Sequence, residues 1–229
     1  LKNHPPPPTP TPTPPPPVCC PTTETTVGVR GRPRGIAVAT ATNRIYVTNY
    51  SSNSVSIIDG GSNTVIGTIS LAGSGSGPSG IAYHPSGFLY VSLADSDKVA
   101  VINAGTGAVE GTINVGDDPA GVAVNPATGR VYVANFGGTS TALDTVSVIS
   151  GNVVVGTIPV QDAPSQIAVN PVTNRIFVTN HGHGDNYGYG SSVSVIDGST
   201  DTVIRTIPLV TGTPPTPGQG PHGIAVNTN

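Results

Sequence analysis

The chain has 229 residues, a formal net charge of −3, and charged residues at only 9% of positions. A mildly acidic, charge-poor surface does not attract phosphate backbones, so electrostatic binding of nucleic acid is excluded. The 30 Gly and 24 Pro exclude a helical architecture, since in a helix interior Gly costs about 1 and Pro about 3 kcal/mol relative to Ala. No run of about twenty apolar residues reads as a membrane-spanning helix. No signal peptide is visible either. The chain begins at Leu1 and contains no Met, which reads as a processed or incomplete piece without its upstream signal or anchor.

Residues 1–25 form a Pro/Thr-rich arm, in which residues 5–17 are Pro and Thr alone. Pro fixes φ and has no N–H to donate, so this stretch favours extended polyproline II and reaches roughly 40 Å at about 3.1 Å per residue. It reads as a stiff spacer or as a docking strip against another protein. Thr9, Thr11 and Thr13 suit O-linked sugars. Cys19 and Cys20, the only cysteines, are adjacent. A bond between neighbours closes a strained ring. That leaves an interchain disulfide, modification of a free thiol, or inert thiols in a reducing compartment. No Cys-x-x-Cys-His is present for covalent haem attachment.

Residues 26–229 repeat one module of roughly 40–45 residues four times. Each copy opens on a Pro and a small apolar strand: Pro33 with Gly35-Ile36-Ala37-Val38, Pro78 with Gly80-Ile81-Ala82-Tyr83, Pro119 with Gly121-Val122-Ala123-Val124, and Pro164 with Gln166-Ile167-Ala168-Val169. An aromatic strand follows: Tyr46-Val47-Thr48-Asn49, Tyr90-Val91-Ser92-Leu93, Tyr132-Val133-Ala134-Asn135, and Phe177-Val178-Thr179-Asn180. Turns built on Asn125 to Arg130 and Asn170 to Arg175 separate these two strands. A hairpin closes each copy, such as Val55 to Asp59 into Thr64 to Ile69 around Gly60-Gly61-Ser62-Asn63. A fifth copy opens at Pro221 with Gly223-Ile224-Ala225-Val226, and Thr26 to Arg30 matches the end of a copy. The expectation is an all-β propeller of four-stranded antiparallel blades: four full repeats with partial end strands, and an incomplete ring closed by further blades or by other chains.

Tyr46-Val47-Thr48-Asn49 and Phe177-Val178-Thr179-Asn180, followed by Val-Ser-Ile/Val-Ile-Asp and Thr-Val-Ile-x-Thr-Ile, closely resemble the YVTN-type β-propeller repeat. The resemblance covers residues 26–229. It implies a surface-layer or envelope-associated protein of a bacterium or archaeon, with no shared catalytic motif. The chain departs from that family in having few blades and a long fourth copy.

The most distinctive insertion is His181-Gly182-His183-Gly184-Asp185-Asn186-Tyr187-Gly188-Tyr189-Gly190. Three readings stand: an unliganded surface loop, a partner contact through Tyr187 and Tyr189, or a metal site of His181, His183 and Asp185. A third histidine such as His222 would strengthen the last. The matching loop from Phe136 to Asp144 is also long, so both are expected on one face, the binding side of a repeat protein, with Phe136 a further partner contact. Asp59 and Asp197 sit beside Gly in every copy where they occur and read as turn caps, and His84 as a turn residue. Asn49-Tyr50-Ser51 fits the N-glycosylation pattern. No catalytic arrangement, phosphate loop or carboxylate pair stands out, so no catalytic or cofactor-binding residue is assigned, and the only cofactor admitted is an ion at His181/His183.

The expected function is therefore a non-catalytic extracellular or envelope propeller. It would contact protein partners, copies of itself or cell-wall polysaccharide, as a subunit of a surface layer, filament or larger complex. The alternatives are a lactonase-like or metal- or quinone-dependent propeller enzyme, or a carbohydrate-binding module.

Overall fold

The computed structural model describes residues 26–138, 144–182, 191–209 and 220–227. Cys19, Cys20, His183, Asp185, Tyr187 and Tyr189 lie outside them. Within the described residues the chain runs β1 (Pro33–Ala39), β2 (Arg44–Asn49), β3 (Ser54–Asp59), β4 (Thr64–Ser70), β5 (Pro78–His84), β6 (Phe88–Leu93), β7 (Lys98–Asn103) and β8 (Val109–Asn114). It continues through β9 (Pro119–Asn125), β10 (Arg130–Asn135), β11 (Thr145–Ser150), β12 (Val153–Pro159), β13 (Pro164–Asn170), β14 (Arg175–Asn180), β15 (Ser192–Asp197) and β16 (Thr202–Pro208). Each set of four is one antiparallel sheet in simple sequence order, β1-β2-β3-β4 through β13-β14-β15-β16. One sheet is one copy of the repeat, and the expected strands fall within a residue or two of those formed.

The sheets stack face to face in a propeller-like series, with β1 against β5, β5 against β9, and β9 against β13. Alternation along each strand gives every sheet two apolar faces, and the core is divided into slabs between sheets. Tyr46, Val55 and Ile69 of the first sheet meet Ile81, Leu89, Val91 and Ile102 of the second. Tyr90, Val99 and Val101 meet Val131, Val133 and Ile149 of the third. Tyr132, Val146, Val148 and Ile158 meet Ile167, Ile176, Val178 and Ile196 of the fourth. A bulge recurs between the third and fourth strands of every copy, at Ile57/Ile58, Val101/Ile102, Val148/Ile149 and Val195/Ile196. A bulge bends and further twists its strand.

Three contacts recur across the junctions. The first is a close approach of backbones at glycine. A Cβ on Gly35 would lie 2.4 Å from the Ser79 carbonyl oxygen, on Gly80 2.2 Å from that of Ala120, and on Gly121 2.6 Å from that of Ser165. The second is a hydroxyl bridge. Thr48 Oγ1 accepts from the Gly35 N–H at 2.7 Å and donates to the Ser79 carbonyl at 2.7 Å, and Ser92 Oγ joins the Gly80 N–H to the Ala120 carbonyl at 2.8 and 2.6 Å. The third is a tyrosine reaching the hairpin turn of the next sheet: Tyr46 to the Ala104 carbonyl (3.1 Å), Tyr90 to Asn152 Oδ1 (2.9 Å), and Tyr132 to Asp201 Oδ1 (3.2 Å). Arg130 pairs with the same Asp201 carboxylate.

Turn chemistry follows the sequence. Asp59 Oδ1 accepts from the Gly61 and Ser62 N–H groups, and Asp197 Oδ1 from that of Ser199. Both carboxyls are held below the ordinary carboxylate range, Asp59 first by the Ser62 N–H and Asp197 first by the Ser199 hydroxyl, with Arg175 beside it. His84 Nδ1 accepts from the Ser86 N–H at 3.0 Å, confirming a turn role, and its Nε2 lies 3.1 Å from the Gly129 carbonyl oxygen of the next sheet. Gly151 and Asn152 both have positive φ (58° and 64°), the two-residue turn that matches strand twist.

Two expectations are corrected. Residues 26–30 and 221–227 form no strand, because among the described residues neither has a neighbouring ladder to complete its hydrogen bonds. Residues 26–30 nonetheless keep the period of an extended chain, Val27 and Val29 being half-buried between exposed neighbours. Asn49 is not a free glycosylation acceptor: it is 0% exposed and donates through Nδ2 to Ser54 Oγ and Ser56 Oγ at 3.3 and 2.9 Å. Asn135 and Asn180 make the same link.

Gly80→Ala should destabilise the chain by about 3 kcal/mol or more, because the new Cβ meets backbone that cannot move aside. Gly111→Ala has nothing within 4 Å to strike and should leave stability unchanged or raise it by up to about 1 kcal/mol. Urea unfolding of the two variants side by side checks both.

Burial, and after it the Asp201 carboxylate, pushes the Tyr132 phenol up to about 12. The unfolded phenol ionises near 10, so between these values the unfolded state loses a proton that the folded state keeps. Stability should therefore fall as pH rises from about 10 to 12. Urea midpoints measured across that range should fall less steeply for Tyr132→Phe.

Candidate functional site: the axial channel

The first strands of the four sheets, together with residues 222–224, line an open channel of about 550 Å³. Its wall is the equivalent apolar position of all five copies: Ile36, Ile81, Val122, Ile167 and Ile224. The glycines that allow close sheet approach, Gly35 and Gly80 among them, also reach this wall. Among the described residues the polar side chains at the channel are Arg34, Ser79, Gln166 and His222, and no carboxylate lines it.

Arg34, Gln166 and His222 are the positions where the copies part company. The residue after the opening Pro is Arg34, Ser79, Ala120, Ser165 and His222 in turn, and the next is Gly in every copy except the fourth, where it is Gln166. A side chain stands at 166 where the other copies have the room of glycine. Ser165 Oγ donates to the Pro221 carbonyl at 3.2 Å, while Thr179, the counterpart of Thr48 and Ser92, lies 3.0 Å from Ser165 Oγ and bonds the Gln166 backbone of its own sheet. The fourth copy also carries Phe177 in place of tyrosine, so it has no hydroxyl to grip a following turn.

Arg34 is held by an aromatic face. Its Cζ lies 3.9 Å from the Tyr50 ring centroid, with Arg32 Cζ at 5.1 Å from the same ring. Tyr50 is fixed by donating to Asp95 Oδ1 at 2.6 Å, and that hydrogen bond, with burial, lifts the phenol above its ordinary range. Stacking uses the flat face of a guanidinium and leaves its in-plane N–H groups available. Among the described residues the ion pairs are Arg130–Asp201 and Arg175–Asp197, so Arg34 has no carboxylate partner there.

Of the residues singled out in the sequence, the structure brings His181, His222 and Phe136 together. The His181 and His222 rings stand 4.2 Å apart between centroids, and Phe136 lies 6.3 Å from His181. The two long loops thus do begin side by side, with Phe136 N–H bonded to the Asp118 carbonyl and His181 N–H to that of Ala163. His181 Nδ1 lies 2.9 Å from the Gly182 carbonyl oxygen, and its Nε2 is buried with no partner among the described residues. No group of three or more His, Cys, Asp or Glu is placed to hold a metal among the described residues. Sequence reasoning missed Arg34 and Gln166 as channel residues. The signal available was their departure from the small residues that the other copies carry.

No family model matches the chain. It is 44% identical over 162 residues to the PE-PGRS family protein PE_PGRS18 of Mycobacterium tuberculosis, an alignment covering 52% of this chain and 34% of that protein. Among solved structures it resembles the Hydrazine Synthase of Kuenenia stuttgartiensis, with a TM-score of 0.68 and 25% identity over 76% of this chain and 48% of that one. The chain thus spans about a third of the curated relative and about half of the structural one. Among the described residues no helix is long and apolar enough to cross a membrane.

Proposed function

We propose that the chain is a YVTN-type β-propeller module displayed outside the cell or in the cell envelope, acting as a rigid, non-catalytic interaction element within a larger assembly. The reading is carried by the contrast between two equivalent isoleucines. Ile81 of the second sheet is covered by the first sheet and is 6% exposed, whereas Ile36 of the first sheet is 66% exposed. Val38, Ile45, Ile58 and Val65 stand opposite one another across β1 to β4 on the same face as Ile36. An apolar face of this build is covered by a further blade or by another subunit, each large side chain gaining about 1.5–3 kcal/mol on full burial.

The native mass of the full chain, with the arm and both cysteines present, tests this reading. Assembly that weakens in Ile36→Lys supports it. Assembly that falls apart on reduction assigns Cys19 or Cys20 as the staple. A monodisperse monomer indifferent to Ile36→Lys would count against it.

The His181–His222 contact favours a second reading, a bound transition metal, in line with the enzyme alternative. It expects near-stoichiometric zinc or a similar ion in the purified chain, lost in both His181→Ala and His222→Ala. Elemental analysis that finds no metal, with no shift in melting temperature on adding zinc, rejects it.

A further inference from the structure

We infer that the axial channel binds a small organic oxyanion, a carboxylate or phosphate carried on a compact frame, through Arg34, Gln166 and His222. This goes beyond the interaction role proposed above and does not depend on it. Two independent observations carry it: the composition of the channel and the way Arg34 is held.

At the channel the lining charge is one-sided. The chain as a whole is at −3, yet among the described residues the ionisable side chains in the lining are a guanidinium and an imidazole, with no carboxylate. Arg34, Gln166 and His222 stand exposed at this concave site, so the guanidinium meets a ligand as a solvent-accessible charge able to make charge-assisted hydrogen bonds. A cation would meet only repulsion from Arg34. A neutral ligand would leave its charge unanswered.

The second observation is the platform under Arg34. Two other arginines of the fold, Arg130 and Arg175, are neutralised by aspartates. Arg34 is instead oriented from one face by Tyr50 at 3.9 Å, itself anchored by Asp95. The side chain is therefore positioned without being neutralised, and its planar fork is free for the two-point contact that suits a carboxylate or phosphate. Gln166 brings an amide donor from the fourth copy, where the other four copies carry glycine, and His222 brings an imidazole from the fifth. Three polar side chains from three repeats line a site that the repeat pattern alone would leave lined with small side chains. The Ile ring beneath them suits the C–H face of a compact frame such as a sugar acid or a sugar phosphate.

Calorimetric titration of the full chain at low ionic strength, with citrate, galacturonate, inorganic phosphate and glucose 6-phosphate, and with glucose as the neutral control, tests the site. The expected result is saturable one-to-one binding of at least one anionic probe and none of glucose. Arg34→Gln and Gln166→Gly should each weaken it at least about tenfold, while Arg205→Ala, an exposed arginine on β16, should not. Binding confined to citrate and galacturonate would assign a carboxylate ligand, and binding confined to the phosphates a phosphoester. Gln166→Gly restores the residue of the other copies, so it keeps the test decisive if Arg34→Gln fails to fold. No saturation by any anionic probe at concentrations on the order of 10 mM would overturn the inference. So would binding that survives both channel substitutions, or that Arg205→Ala weakens equally.

Discussion

Every sheet in this protein has two apolar faces and is too thin to bury either by itself, so the fold depends on how closely neighbouring sheets approach. The limit on approach is set at the innermost strands by Gly35, Gly80 and Gly121, where the next strand's carbonyl oxygen occupies the space a Cβ would fill. Only after the backbones come this close can Thr48 and Ser92 bridge two sheets with one hydroxyl. The same spacing lets Tyr46, Tyr90 and Tyr132 reach the turns beyond. The side-chain slabs then close over areas that dominate the stabilising free energy. The polar links contribute less individually, about 1 kcal/mol each. Their use is to fix which residue of one sheet lies over which residue of the next.

That constraint explains where the repeat is broken. At the first three copies the glycine is present and the neighbouring sheet is regular. At the fourth, Gln166 stands in place of glycine and Phe177 lacks the hydroxyl grip, and the segment that follows is met by Ser165 Oγ at the Pro221 carbonyl. This junction is also where His222 comes to rest on His181. The departure from glycine at 166 thereby adds a polar side chain to the channel. The positions that depart from the repeat are thus those with chemistry to offer, while the positions that keep it hold the sheets together.

Much of the fold was legible in the sequence because its signals were local and repeated. Period-two patterning marked the strands, and Asp59, Asn125 and Asn170 marked their turns through hydrogen bonds to N–H groups two or three residues on. The end segments misled for a physical reason: residues 221–226 carry the same pattern as β1, but a strand is defined by its ladder, and pattern does not supply a partner. Asn49 misled in a similar way, since the acceptor motif says nothing of the two serine hydroxyls that bury its amide. The meeting of His222 with His181 was named in the sequence only as a condition. Its fulfilment depends on Ser165 drawing the 221–227 segment against β13.

The channel was the least legible part, because its character comes from what surrounds each residue. Arg34 read alone is one more surface arginine in a short Arg-Gly-Arg-Pro-Arg run. Its meaning changes once Tyr50 is seen beneath it and carboxylates are seen to line other places instead. Asp201 and Asp197 neutralise Arg130 and Arg175 at the hairpin turns, and Asp95 is engaged with the Tyr50 hydroxyl. With Asp201 and Asp197 committed at the hairpin turns and Asp95 to the Tyr50 hydroxyl, the positive charge of Arg34 stands at the channel without a lining carboxylate among the described residues. In a chain with so few charges, their allocation decides what the apolar scaffold can recognise.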